Sequence, residues 1–184
     1  MDNPILRGYT NKAESESRPV IVNDKFPSSV ILIASILLCG VILLLCAMPA
    51  RADIISVAQS QIGLGEIGGN NKGIYVRKYL NGREDLPWCA GFVSYCAKKS
   101  GINIPYTLRA RDFLKLGIKV SNPRRGDLIV FSRQGGGHVG IIKEITESTV
   151  TTIEGNLGKY PSKIREVTYY KKHIKNFLAF VRLR

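Results

Sequence analysis

Acidic residues, histidine and usable cysteine are all scarce in this chain. Fourteen Asp and Glu stand against 27 Lys and Arg, and 184 residues hold two histidines and four cysteines. Two of the cysteines, Cys39 and Cys46, lie inside an apolar run and read as small hydrophobes. The remaining pair, Cys89 and Cys96, makes no disulfide framework. On one helix their spacing separates the Cα atoms by about 10 Å, beyond the ~7 Å that a bridge tolerates. Cys-x6-Cys with two histidines is also poor zinc spacing, so no metal is expected. Zinc-finger spacing, basic-region heptads and RNA-binding strand signatures are missing too, and no nucleic-acid partner is expected. The shortage of acid persists from Asp53 onward, where 22 Lys and Arg face ten Asp and Glu. Such a surface suits an anionic polymer or lipid, or is simply a solvated basic face.

Charge is absent altogether from Val30 to Met48 (VILIASILLCGVILLLCAM). These nineteen residues match the ~20 that cross a bilayer as a helix, and they show no polar face of the kind a core helix carries. Arg7, Lys12, Arg18 and Lys25 precede the run and only Arg51 follows closely. The positive-inside rule then keeps residues 1–29 in the cytoplasm, makes 30–48 a transmembrane or signal-anchor helix and exports the domain at 53–184. Ala50-x-Ala52 has the small-residue form of a signal-peptidase site. Cleavage after Ala52, giving a secreted or periplasmic product, is the alternative to a retained anchor.

Within 53–184 the apolar pattern changes once. Asp53 is a cap candidate for a helix through Gln61. Further helices are expected over Ile74 to Leu80, over Cys89 to Ser100, which Gly101 ends, and over Arg109 to Leu116. After Pro123 come short β-rich runs: Asp127 to Phe131, His138 to Lys143, Thr149 to Ile153, Ile164 to Tyr169 and Phe177 to Leu183. Helices first and strands afterwards predict an α+β domain with an antiparallel sheet.

A catalytic cysteine needs its thiolate, which a helix N-terminus and a nearby imidazole supply. Cys89 opens a helical run after Pro87-Trp88, whereas Cys96, two turns on, suits core packing. His138 begins a strand directly after Gly135-Gly136-Gly137, where small neighbours leave the imidazole accessible. His173 sits among lysines and reads as a surface residue. Glu154 or Asn156, at the end of the neighbouring strand, is placed to fix the histidine's tautomer, the third role of a triad. Taken singly, each of these residues also has a purely structural explanation.

Taken together, Trp88-Cys89-Ala90-Gly91-Phe92-Val93, Pro123 to Phe131, His138-Val139-Gly140-Ile141 and Glu154-Gly155-Asn156 resemble the CHAP family, cysteine- and histidine-dependent amidohydrolases and peptidases of bacterial cell walls. Glu66-x-Gly68-Gly69-Asn70-Asn71 is similar to a lead-in found in that group, while Tyr106 to Leu116 matches weakly. The resemblance implies a papain-like fold, with N-terminal helices packed on an antiparallel sheet. It implies Cys89 as nucleophile, His138 as base, Glu154 and Asn156 as orienting or assisting groups, and Trp88 as a substrate contact. It implies hydrolysis of a peptidoglycan amide without metal or organic cofactor. With the apolar segment, it places the domain outside a bacterial membrane, with a secretion, conjugation or division apparatus as a possible setting. Two other classes fit the same residues: a papain-like hydrolase of protein or acyl substrates, and a non-catalytic envelope-binding or scaffold protein.

Overall fold

Asp53 caps the first described helix of the computed structural model, which describes residues 52–184. The tail expected at 1–29 and the apolar segment at 30–48 lie outside the described residues. Among the described residues, no helix is long and apolar enough to cross a membrane. Asp53 Oδ1 accepts the Ser56 backbone N–H at 2.7 Å and satisfies one of the donors a helix start leaves open. Helix α1 (Ile54–Gln59) then buries Ile54, Ile55 and Ala58 on one face. Helix α2 (Ile74–Tyr79) buries Val76 and Tyr79. Helix α3 (Cys89–Lys99) is the longest of those described and buries eight of its eleven residues.

Gly101 ends α3 with φ +74°. Its N–H donates to the Lys98 carbonyl and the Ile102 N–H to that of Ala97, the paired closure of a Schellman motif. A 3₁₀ turn at Ala110–Asp112 leads into the four-residue α4 (Phe113–Leu116).

The second half forms one antiparallel sheet: β1 (Ile118–Val120), β2 (Leu128–Arg133), β3 (Gly136–Ile145), β4 (Thr149–Glu154), β5 (Arg165–Tyr170) and β6 (Phe177–Arg182). Its order is β1-β6-β2-β3-β4-β5. The α+β class and the five longer strands agree with the sequence reading; β1 is additional. Strands β2 and β3 pair from Arg133↔Gly136 back to Leu128↔Ile141, joined by a tight turn that Gly135 enters at φ +77°. The first expected strand begins one residue later than predicted, because Asp127 closes a turn. Its carboxylate accepts the Arg124 N–H and both Nε and Nη2 of Arg182, each at 2.8 Å.

The sheet's two faces differ. Leu128, Val130, Val139, Ile141 and Ile153 join the helices in the main core. Ile129, Phe131, Ile142 and Val150 form a second, smaller cluster, with Tyr169 and Phe180 packed against it. Strand alternation puts His138, Gly140, Thr152 and Glu154 on this second face, between the residues that point at the helices.

Candidate active site

Cys89 is the first residue of α3, and its side chain is buried to 3% exposure. Trp88, at the N-cap position, contributes no side-chain hydrogen bond to the helix start. The leading backbone N–H groups of α3 therefore lack a side-chain cap and stay open to an anionic group at this end of the helix. Cys96, two turns along, is fully buried, and burial pushes its thiol pKa well above the ordinary range. Both thiols are free. Their environments separate a nucleophile candidate from a packing residue.

His138 stands on β3, opposite Phe131 on β2, and is 4% exposed. Its Nε2 lies 2.7 Å from Glu154 Oε2. Glu154 is fully buried and carries two further hydrogen bonds. Thr152 Oγ1 donates to Oε1 at 2.6 Å, and the Tyr169 hydroxyl donates to Oε2 at 3.1 Å. Three donors from three strands thus hold one carboxylate, with its face toward the imidazole fixed. The close approach of β3 to this side chain needs Gly140, where a Cβ would stand 2.7 Å from Glu154 Cγ.

Burial by itself would lower the pKa of His138. Interactions with Cys89 and then with Glu154 outweigh it and raise the value to about 9. The thiol therefore acts on the ring, yet Nδ1 closes no hydrogen bond of ordinary geometry. The two facts agree if sulfur and ring are close but imperfectly aligned, a common state of catalytic pairs without substrate. Nε2 is committed to Glu154, which leaves Nδ1 as the nitrogen for proton exchange with sulfur.

Cys89 opens on a cleft of about 650 Å³, lined also by Arg83, Leu108, Arg109, Arg111 and the glycines 135–137. The missing side chains of that glycine run leave the start of β3 open. His138 lines a second depression of about 360 Å³ with Phe131, Leu157, Tyr169 and Lys175. The dyad thus stands between two hollows.

The structure brings Cys89, His138 and Glu154 together, and it treats the other two candidates differently. Asn156 turns the chain out of β4 at φ +56°. Its backbone carbonyl accepts from Arg133 Nη1 at 3.4 Å, and Glu154 occupies the position beside the imidazole. Trp88, expected as a substrate contact, is fully buried. Its ring stacks on Tyr79 with centroids 5.7 Å apart and lies against the backbone of Gly155. Its indole N–H donates to Glu66 Oε1 at 3.2 Å.

Sequence reasoning missed Thr152 and Tyr169, and it gave Glu66 no role of its own. Glu66 accepts from the Asn71 N–H at 3.0 Å and from the Ser162 N–H at 2.7 Å as well as from Trp88. It ties the loop before α2, the residue preceding Cys89 and the segment after β4 into one joint.

Residues 81–156 match the family model of the CHAP domain, the family that the motifs around Cys89, Asp127, His138 and Glu154 resemble. No curated protein sequence matches the chain. Among solved structures, the peptidoglycan hydrolase RipB of Mycobacterium tuberculosis is 24% identical, with a TM-score of 0.46 over 72% of this chain and 64% of that one. A variant of the Resuscitation Promoting Factor Interacting protein RipA is 26% identical, with a TM-score of 0.45 over 73% of this chain and 61% of that one. RipD of Mycobacterium tuberculosis, described as a non-catalytic NlpC/p60 domain protein adapted to peptidoglycan binding, is 18% identical, with a TM-score of 0.45 over 73% of this chain and 98% of that one. The chain thus spans less than two thirds of the RipB and RipA chains, and the likenesses are distant.

Proposed function

We propose, from the premise that residues 81–156 carry a CHAP domain match, that this chain hydrolyses an amide of peptidoglycan through Cys89, His138 and Glu154 in a papain-like arrangement. The observation that carries the reading is the buried His138–Glu154 bond of 2.7 Å, with the ring's second nitrogen left for the thiol at the head of α3. A structural histidine would have both nitrogens satisfied or exposed.

The chemistry follows from those positions. Cys89 as thiolate attacks the scissile carbonyl carbon, and the carbonyl oxygen takes the negative charge beside the N-terminal amides of α3. The C–N bond breaks as the imidazolium of His138 gives its proton to the leaving amine. Water then attacks the thioester, His138 takes the water's proton, and the C–S bond breaks to release a carboxylate and restore the thiolate. Glu154 holds the ring in the correct tautomer and stabilises its positive charge. The apolar segment at 30–48 would keep this domain beside its substrate outside the membrane, in the neighbourhood of a secretion, conjugation or division apparatus.

The test is digestion of purified peptidoglycan by the full chain, with products read by mass spectrometry. Wild type and Cys96→Ala release fragments whose masses identify the bond cut. Cys89→Ala releases on the order of 10³-fold less or nothing, as expected for loss of a nucleophile. Equal inertness of all three on several wall types, with turnover of a protein or acyl ester by the wild type, would reassign the substrate.

A further inference from the structure

The cleft beside Cys89 has a charge imbalance that the fold itself does not resolve. Arg83, Arg109 and Arg111 line it, and its acidic residue is Asp112, whose Oδ2 is occupied by the Thr107 hydroxyl at 2.6 Å. Three arginines elsewhere sit on carboxylates, Arg77 on Glu84 at 2.8 Å, Arg125 on Asp53 at 3.4 Å and Arg182 on Asp127 at 2.8 Å, while Arg133 and Arg165 donate to backbone carbonyls. Among the described residues, none of the three cleft arginines forms an ion pair. Two are nevertheless held in place. Arg111 Nη2 donates to Ser132 Oγ at 2.8 Å, and Arg83 Nε donates to the Leu80 carbonyl at 3.4 Å. The remaining guanidinium donors of this cluster are left for a planar acceptor.

Three like charges around one cleft repel each other, a repulsion that water softens at these exposed side chains and that an anion among them would relieve. A solvated basic face would spread them over the surface. Here all three, though exposed, line the one hollow that contains the nucleophile. Arginine's fork of donors matches a carboxylate in a bidentate manner.

We propose that the Cys89 side of the cleft is a carboxylate-reading subsite, and that its substrate is an acidic peptide whose free carboxylate, near the scissile amide, is held by Arg83, Arg109 and Arg111. The subsite rests on the hydrolase reading above and narrows it to stem peptides whose carboxyl groups are unmasked. Conversion of that carboxyl to a carboxamide removes the charge and turns one acceptor oxygen into a donor that faces other donors. The amidated peptide therefore binds less well, although its scissile bond is unchanged.

The experiment compares wall-derived stem peptides in free-carboxylate and carboxamide forms, each digested by the full chain. We expect about a tenfold preference in kcat/KM for the carboxylate form, expressed mainly in KM, as for a charge-assisted contact in a partly open site. The ratio falls toward 1 in Arg109→Gln and Arg111→Gln and is partly kept in Arg109→Lys. It persists in Lys119→Gln, on the edge strand β1. Equal turnover of the two peptides by the wild type overturns the subsite and leaves the hydrolase reading standing. A preference that survives both glutamine substitutions overturns its assignment to these arginines. If neither peptide nor intact peptidoglycan is cut, the hydrolase reading fails and the subsite falls with it.

Discussion

His138 is governed by two opposing influences, burial that favours the neutral ring and neighbours that favour the charged one. The neighbours prevail, and the ring holds its proton to about pH 9. Two consequences share a sign. Stability contributed by the charged ring is whole below the unfolded pKa near 6.5 and is lost as pH rises through about 9. Turnover that requires the imidazolium also declines on that alkaline limb. Glu154→Gln removes a raising interaction, so the limb moves to lower pH and kcat falls by roughly 10²-fold. A pH–rate profile and an NMR titration of the His138 ring would show both effects; an unmoved limb would deny Glu154 its positioning role. Cys89, His138 and Glu154 were legible in the sequence because each sits at punctuation: a helix start, a glycine run and a strand end. Glu154 and Asn156 share strand parity, so the sequence left them as equals until the turn at Asn156 showed that β4 ends at Glu154. Thr152 and Tyr169 were not legible as partners, because their approach to Glu154 depends on register between strands.

Helix α3 carries the cysteine at one end and the Schellman closure at the other, so its length is set at both termini. Replacing Gly101, at φ +74°, with alanine places a Cβ in left-handed backbone at about 1–2 kcal/mol. Thermal or urea unfolding of Gly101→Ala should show that loss. Activity per folded molecule should remain, since Cys89 lies at the opposite end. A larger catalytic than stability defect would mean that the C-terminus of α3 influences the site in ways its contacts do not show. Element types were readable because helices and strands repeat with different periods. The strand β1 escaped notice for a physical reason: three residues carry too little pattern, and its partner β6 lies some sixty residues away.

At the scale of the molecule, sheet order was the least legible feature, since alternation identifies a strand without naming its neighbour. The order runs β1-β6-β2, so β6, which follows the other strands in the chain, lies inside the sheet. Ala179 and Val181 enter the main core from it. Deleting residues from 177 onward exposes the β2 edge and removes both core side chains at once. The shortened chain should lose cooperative unfolding and elute as aggregates on gel filtration; a monomeric, cooperatively unfolding product would show that β6 is dispensable. The same placement bears on biosynthesis. While the ribosome still holds Phe177–Arg182, β2 has no partner on that side, and Arg182 has not reached Asp127. A nascent chain can thus complete its helices and the β2–β5 meander but cannot close its sheet. Native assembly waits for β6 to emerge, so the sheet that carries His138 and Glu154 closes only after Arg182 has left the ribosome.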